Sequence, residues 1–290
     1  MIKSVAIVGA GQMGTGIAQA VATSGYDVIL YDISARQLEN AHETINANLT
    51  YRILAKKTDD SKKSEALARL STTTVLDDLK QADLIIEAAN EDENVKRDIF
   101  LELCHNLKPS TLLATDTSTI SITRLAATTN RPDKFIGTHF MNPVPKMKLV
   151  EVVRGIATSE ETYSTICAFI TSIGKIFTVT EDFPAFIVNR VLVPMINEAI
   201  YALYEGVGNV TAIDTAMKLG ANHPMGPLEL ADFIGLDVCL SIMHVLHQGL
   251  SDSKYRPCPL LIKYVEAGWL GRKSGRGFYD YSSKTPIPTR

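Results

Sequence analysis

Cysteine is scarce in this chain and never paired. Cys104, Cys167, Cys239 and Cys258 stand far apart with no CxxC spacing, which argues against a disulfide framework or a zinc site and for a reducing cytoplasm. No clustered set of metal-ligating side chains stands out, so no metal is expected. Long apolar runs are missing too. None reaches the roughly 18 residues of a membrane span. The first run begins at Val5, is broken by Gly9 and Gly11, and lacks the charged flank and cleavage site of a signal peptide. Charge of one sign is absent as well: 29 Lys and Arg stand against 32 Asp and Glu, for a net charge of −3. The chain therefore carries neither a nucleic-acid footprint nor a polybasic membrane patch. No internal repeat is evident. What remains is 290 residues, 46% of them hydrophobic, enough for one large core or two ordinary ones.

The start of the chain is its most ordered pattern. Ser4 to Val8 reads as a short buried strand. It runs into Gly9-Ala10-Gly11-Gln12-Met13-Gly14, a G-x-G-x-x-G. A helical pattern follows, then a second strand over Asp27–Tyr31, then Asp32. Gly9 permits the tight turn, Gly11 removes a side chain where a pyrophosphate must approach, and Gly14 lets helix and strand pack closely. The N–H groups of Gln12 and Met13 open the helix toward the phosphates. Asp32 is placed to accept from the adenine ribose hydroxyls. It disfavours a 2′-phosphate, so NAD is expected, although Arg36 nearby leaves NADP open.

Further strands are predicted at Thr72–Val75, Asp83–Glu87 and Thr111–Thr115. The long polar segment Ala35–Leu70 reads as helical, and another helix is predicted over Glu93–Leu107. The alternation predicts an α/β Rossmann-type, parallel, doubly wound sheet. Ligands of such sheets sit beyond the carboxyl ends of the strands, which gathers Glu91, Thr117-Ser118-Thr119 and His139 on one rim. Ser118 reads either as a helix N-cap or as a hydroxyl beside the cofactor. Lys56, Lys57, Lys62 and Lys63 read either as a solvated face or as a docking surface for an anionic substrate.

The stretch Gly137–Gly155, GTHFMNPVPKMKLVEVVRG, joins two apolar runs through a two-proline loop. Paired strands would bring His139 and Glu151 together as a proton-transfer unit. The plainer reading is a core histidine and an outward carboxylate. A last short strand is predicted at Ile176–Val179, and the strand signal stops near Pro184. Beyond it lies an all-helical C-terminal domain: an apolar helix over Ile187–Tyr204 that should be buried in a domain core or in a subunit contact, and further helices over Thr211–Leu219 and Leu228–Leu246. Asn189 reads as a cap of the first of these or as an amide serving the site. The expected domains are 1–183, binding the dinucleotide, and 184–281, binding substrate and dimerising, with a mobile tail over 282–290.

Four stretches carry a resemblance: HFMNPVPKMKLVEVVRG, FPAFIVNRVLVPMINEA, GANHPMGPLELADFIGLDV and GWLGRKSGRGFYDY. With the glycine motif, they make the chain similar to the 3-hydroxyacyl-CoA dehydrogenases from Val5 to Tyr281, most of all to the bacterial 3-hydroxybutyryl-CoA type. The resemblance implies a catalytic His139 with Glu151 as its partner. It implies Ser118 at substrate and nicotinamide, Asn189 at the substrate, and Asn142 where cofactor and substrate meet. For the dinucleotide it implies Asp32, Glu91, Lys96 and Lys273, and for the CoA moiety Lys56. Asp116 departs from the family's usual Asn in Asn-Thr-Ser. The implied reaction interconverts a short-chain (S)-3-hydroxyacyl-CoA and a 3-oxoacyl-CoA with NAD(H). A homodimer or higher homo-oligomer formed through the helical domain is expected. Two other readings stand beside it: a dehydrogenase of a free hydroxy or sugar acid, and a crystallin-like dinucleotide-binding structural protein.

Overall fold

A computed structural model describes residues 2–55, 59–105 and 107–289. The chain divides into two compact units, residues 1–183 and 184–290, each with its own apolar cluster. Among the described residues no single helix is long and apolar enough to cross a membrane.

Among the described residues, the first unit is built on eight strands: β1 (Ser4–Val8), β2 (Asp27–Tyr31), β3 (Leu70–Thr73), β4 (Leu84–Glu87), β5 (Leu112–Thr115), β6 (Phe135–Phe140), β7 (Leu149–Arg154) and β8 (Ile176–Glu181). Their order across the sheet is β3-β2-β1-β4-β5-β6-β7-β8. The central strands carry unbroken apolar runs because both faces are covered: Val5 to Val8 and Leu84 to Ile86 are all at or below 1% exposure. Helices α1 (Gln12–Thr23), α2 (Ala35–Leu54), α3 (Asp60–Ala68), α4 (Glu93–Cys104), α5 (Ile122–Ala127) and α6 (Glu160–Ser172) alternate with the strands. Strand order reverses at β1, between β2 and β4, which makes the carboxyl end of β1 the switch point where ligands bind in such sheets.

The second unit comprises α7 (Val188–Tyr204), α8 (Val210–Gly220), α9 (Pro227–Ile234), α10 (Leu236–Leu250), α11 (Pro259–Glu266) and a small hairpin, β9 (Tyr279–Asp280) with β10 (Ile287–Pro288). Two buried carboxylates organise it. Asp214 accepts from the amides of Leu228 and Glu229 and from the Tyr279 hydroxyl. Asp232 accepts from the amides of Phe278 and Tyr279 and from the Tyr281 hydroxyl.

Several expectations need correction. The sheet is not wholly parallel: β7 runs antiparallel to β6, because an eight-residue loop can reverse the chain but cannot make a crossover. The helical segment Ala35–Leu70 is two helices, the second capped by the Asp59 carboxylate accepting from the Lys62 amide. The third strand begins two residues early, at Leu70, where pairing with Val28 sets the register. Within the single chain, helix α7 is buried on one face only, which leaves the expected subunit contact untested. Val193, Ile196, Asn197 and Ile200 face its core, while Val191 is 68% exposed. The end of the tail is tied down: β10 pairs with β9, and Thr289 bonds the carbonyls of Gly277 and Phe278.

Candidate active site

His139 and Glu151 sit directly opposite each other in the β6–β7 ladder. Such cross-strand partners have their side chains on one face. The result is a contact of 2.7 Å between His139 Nδ1 and Glu151 Oε2. Glu151 is fully buried and His139 is 8% exposed. A carboxylate at Nδ1 selects the tautomer whose Nδ1 carries hydrogen, which leaves Nε2 as the basic nitrogen of the neutral ring.

The rim beside this pair is assembled around Glu91. Its Oε1 accepts from the Thr117 hydroxyl at 2.7 Å and the Ser118 amide at 2.8 Å, and from the Thr119 amide and hydroxyl. The Ser118 hydroxyl reaches the same oxygen at 3.1 Å. Five donors exceed what one oxygen can satisfy, so the Ser118 hydroxyl can turn to another acceptor at little cost. Burial alone would raise the Glu91 acid, but Lys96 and these donors outweigh it and hold it below the usual range. Ser118 is therefore not a helix cap; Ser121 caps α5. Asn189 is not one either, since the cap of α7 is Ile187 and Asn189 lies in the first turn.

Beneath the rim lies a polar cluster, of which the sequence reading did not single out Glu87 and Thr115. The buried Lys96 ammonium meets Glu87 Oε1 at 2.7 Å and Glu91 Oε2 at 3.5 Å. The Thr115 hydroxyl donates to Glu87 Oε2. Asp116 accepts from the Phe140 amide at 2.8 Å, so it holds the residue after His139. Its other oxygen is buried with no partner among the described residues. Burial pushes the Asp116 acid well above the usual range; the Phe140 amide and Lys96 lower it, Glu87 and Glu91 raise it. One signal could have revealed the cluster: acids closing two apolar strands, Glu87 after Leu84–Ile86 and Asp116 after Leu112–Thr115.

The dinucleotide motif has the geometry the cofactor needs. Gly9 has a φ of +105°, strained for any other residue, and a side chain at Gly14 would overlap the Gly9 carbonyl. A side chain at Gly11 would meet nothing within 4 Å, which is open space in front of the α1 N-terminus. A cleft of about 730 Å³ runs from Gly11, Gln12 and Met13 past Asp32 and Ala89. Asp32 accepts from the amides of Ala10 and Ser34, one on each oxygen. Each oxygen keeps a second acceptor site for a ribose hydroxyl. These residues fit NAD.

The model of the 3-hydroxyacyl-CoA dehydrogenase NAD-binding domain matches residues 4–183, and that of the C-terminal domain matches residues 186–281. The chain belongs to the 3-hydroxyacyl-CoA dehydrogenase family. It is an NAD-dependent oxidoreductase of that family. It is 63% identical over 290 residues to a 3-hydroxybutyryl-CoA dehydrogenase of Bradyrhizobium diazoefficiens, covering 100% of this chain and 99% of that one. The enzyme of the same name from Clostridioides difficile is 49% identical, covering 96% and 99%. Among solved structures, an (S)-3-hydroxybutyryl-CoA dehydrogenase from Ralstonia eutropha superposes with a TM-score of 0.96 at 47% identity, covering 98% and 100%. A diketoreductase acting on dicarbonyl compounds superposes at 0.83 with 31% identity, covering 97% and 99%.

Within the family frame, the remaining residues fall as follows. Asn142 lies in the β6–β7 loop and shares a groove with Gly11 and Gln12. Lys96 is fully enclosed beneath Glu91; it supports the rim and does not face the cleft, because Glu87 and Glu91 neutralise it in the interior. Asn189 and Lys273 belong to the second unit, where Lys273 pairs with Asp237. Lys56 lies outside the described residues. Among the described residues no group of three or more His, Cys, Asp or Glu could hold a metal ion.

Proposed function

We propose that the protein interconverts a short-chain (S)-3-hydroxyacyl-CoA, 3-hydroxybutyryl-CoA, and the 3-oxoacyl-CoA, acetoacetyl-CoA, with His139 and Glu151 as its acid–base pair. The observation that carries the proposal is the 2.7 Å contact of His139 Nδ1 with a fully buried Glu151. It supports the reading because a buried carboxylate at Nδ1 both orients the imidazole and favours its cationic form. When bound, NAD supplies the hydride acceptor for the C3 hydrogen. In oxidation, His139 Nε2 takes the C3 hydroxyl proton. In reduction, the imidazolium returns a proton to that oxygen. Such placed acid–base chemistry is worth about 10²–10⁴-fold.

Ser118, whose hydroxyl can leave Glu91, donates to the C3 oxygen as charge grows there. Asn189, carried by the second unit, serves the substrate, and Asn142 the junction of substrate and cofactor. Asp32, Glu91 and Lys273 serve the dinucleotide. The chain-length assignment draws on the names of the relatives. We further infer a cytoplasmic homodimer, for which Val191 and Leu219, 68% and 82% exposed, give the helical unit apolar surface.

The diketoreductase likeness keeps a second reading in view, a reductase of carbonyl compounds without CoA. Oxidation of NADH followed with acetoacetyl-CoA and with free acetoacetate separates the two. Our reading expects a preference for the thioester by several orders of magnitude in kcat/KM, and loss of turnover in His139→Ala with NADH binding intact. Equal use of both substrates overturns the thioester, and an active His139→Ala overturns the pair.

A further inference from the structure

Strand β6 carries His139 on a stretch that outruns its neighbour β5. Among the described residues the β5–β6 ladder pairs Leu113 with Phe135, Ala114 with Ile136 and Thr115 with Gly137, and stops there. Strand β6 runs on through Thr138, His139 and Phe140, which pair with Val152, Glu151 and Val150 of β7. The β5 side of this end therefore lacks a ladder, and an amide pointing that way has to find its acceptor elsewhere. The Phe140 amide finds it in a side chain, Asp116 Oδ1, at 2.8 Å. Asp116 is the first residue after β5, and its own amide donates to the Glu87 carbonyl at 2.7 Å. The carboxyl thus ties the end of β6 to β4 and β5 just where strand pairing has run out.

An acid is held there at a cost. Oδ1 is satisfied, whereas Oδ2 is enclosed with no partner among the described residues. Two further acids, Glu87 and Glu91, lie on the Lys96 ammonium beside it, and both oppose its ionisation. A buried polar atom left unpaired asks for a reason. The reason lies at the peptide it holds. The amide of Phe140 and the carbonyl of His139 belong to one planar unit. Fixing that unit fixes the direction in which the imidazole leaves the strand, and with it the 2.7 Å contact to Glu151.

We propose that Asp116 is a positioning residue of the reaction: its Oδ1 takes the place of the missing β5 ladder at Phe140 and so holds the His139 ring against Glu151. This rests on the acid–base reading above and adds to it what keeps the pair in register. Asp116 acts through His139 and exchanges no proton with substrate. The role needs an acceptor and not a charge, so the side-chain carbonyl of an asparagine fills it too.

The test removes the acceptor and then restores it. Asp116→Leu is near in shape and accepts nothing, while Asp116→Asn returns an acceptor. With acetoacetyl-CoA and NADH, Asp116→Leu should lower kcat about 10²-fold, the scale of a misplaced catalytic group, with KM for NADH unchanged. Asp116→Asn should recover most of that loss. The circular dichroism spectrum and NADH affinity report the fold; if Asp116→Leu does not fold, Asp116→Ala, which adds no bulk, carries the same comparison. A second readout separates positioning from packing. In a Glu151→Gln background the pair is already broken, so Asp116→Leu should cost little more there, because both changes act on one contact. Losses that multiply in the double variant overturn the role of Asp116. So does a folded Asp116→Leu with wild-type kcat, or an Asp116→Asn no faster than Asp116→Leu. A Glu151→Gln variant with wild-type kcat overturns instead the acid–base reading on which the inference rests.

Discussion

Glu151 is fully buried, so a charge on it has to be balanced from within the protein, and its partner in the ladder is His139. Replacing it with Gln keeps the shape and a hydrogen-bond acceptor but removes the charge that favours an imidazolium. Glu151→Gln should lower kcat by about 10²–10⁴-fold. NADH affinity, followed by fluorescence, should stay as in wild type. A variant with wild-type kcat would leave the pair as packing. Asp116 makes a different case. Its enclosed oxygen has no partner, and its acid lies well above the ordinary 3.8. An acid raised in the folded state contributes stability that is complete below the unfolded pKa and is lost as pH rises through the folded one. Asparagine cannot ionise and still accepts from Phe140. Asp116→Asn should therefore gain on wild type as pH rises, reaching on the order of 1 kcal/mol, or about 3 °C in melting temperature, at pH 8. A variant equally shifted at pH 4 and pH 8 would show that ionisation plays no part.

At the scale of elements, a few side chains tie neighbouring strands of the sheet together at their starts. Asp83 precedes β4 and accepts from the amides of Lys3 and Ser4 at the start of β1 and from the Lys108 ammonium. Desolvation would raise its acid, but Lys108 and the two amides outweigh that and hold it at about 2. A depressed carboxyl contributes stability that is present above the unfolded pKa and lost as pH falls through the folded one. The group is partly exposed, which screens the Lys108 pair. Asp83→Asn should thus cost about 1 kcal/mol at pH 7, and the gap to wild type should close between pH 4 and pH 2. Thermal unfolding across that range checks it; a gap independent of pH would assign the loss to packing. Legibility follows the same logic. Strand β1, the glycine turn and β2 could be read because local chemistry and period agree there. The pairing of His139 with Glu151 could be read because a short loop between apolar runs nearly dictates a hairpin. The caps could not: Ser118 and Asn189 have capping chemistry, but Glu91 claims the first and the turn at Ile187 places the second inside its helix. Nor could the end of the tail, whose ties to Gly277 and Phe278 depend on distant backbone.

At the scale of the whole molecule, the two units divide the labour unequally. The Gly9 turn, Asp32, Glu91, Ser118, His139, Asn142 and Glu151 all lie in residues 1–183, while Asn189 and Lys273 lie in residues 184–290. The buried apolar clusters divide likewise. The first unit also closes on itself chemically. Its last carboxylate, Asp182, accepts from the amides of Ile122 and Thr123 and from the Ser121 hydroxyl, so a chain ending at Phe183 keeps the start of α5 satisfied. Residues 1–183 alone should therefore fold cooperatively and bind NADH within about tenfold of the full chain, since tenfold is the worth of roughly one good hydrogen bond. On the proposed reading they should not turn over acetoacetyl-CoA, because Asn189, the residue proposed to serve the substrate, belongs to residues 184–290. Fluorescence titration with NADH and an initial-rate assay on the fragment read both halves of this expectation. A fragment that fails to bind NADH would make Lys273 a principal anchor of the dinucleotide. A fragment that turns over at the full rate would remove the second unit from the chemistry and leave it the work of holding substrate or a second copy.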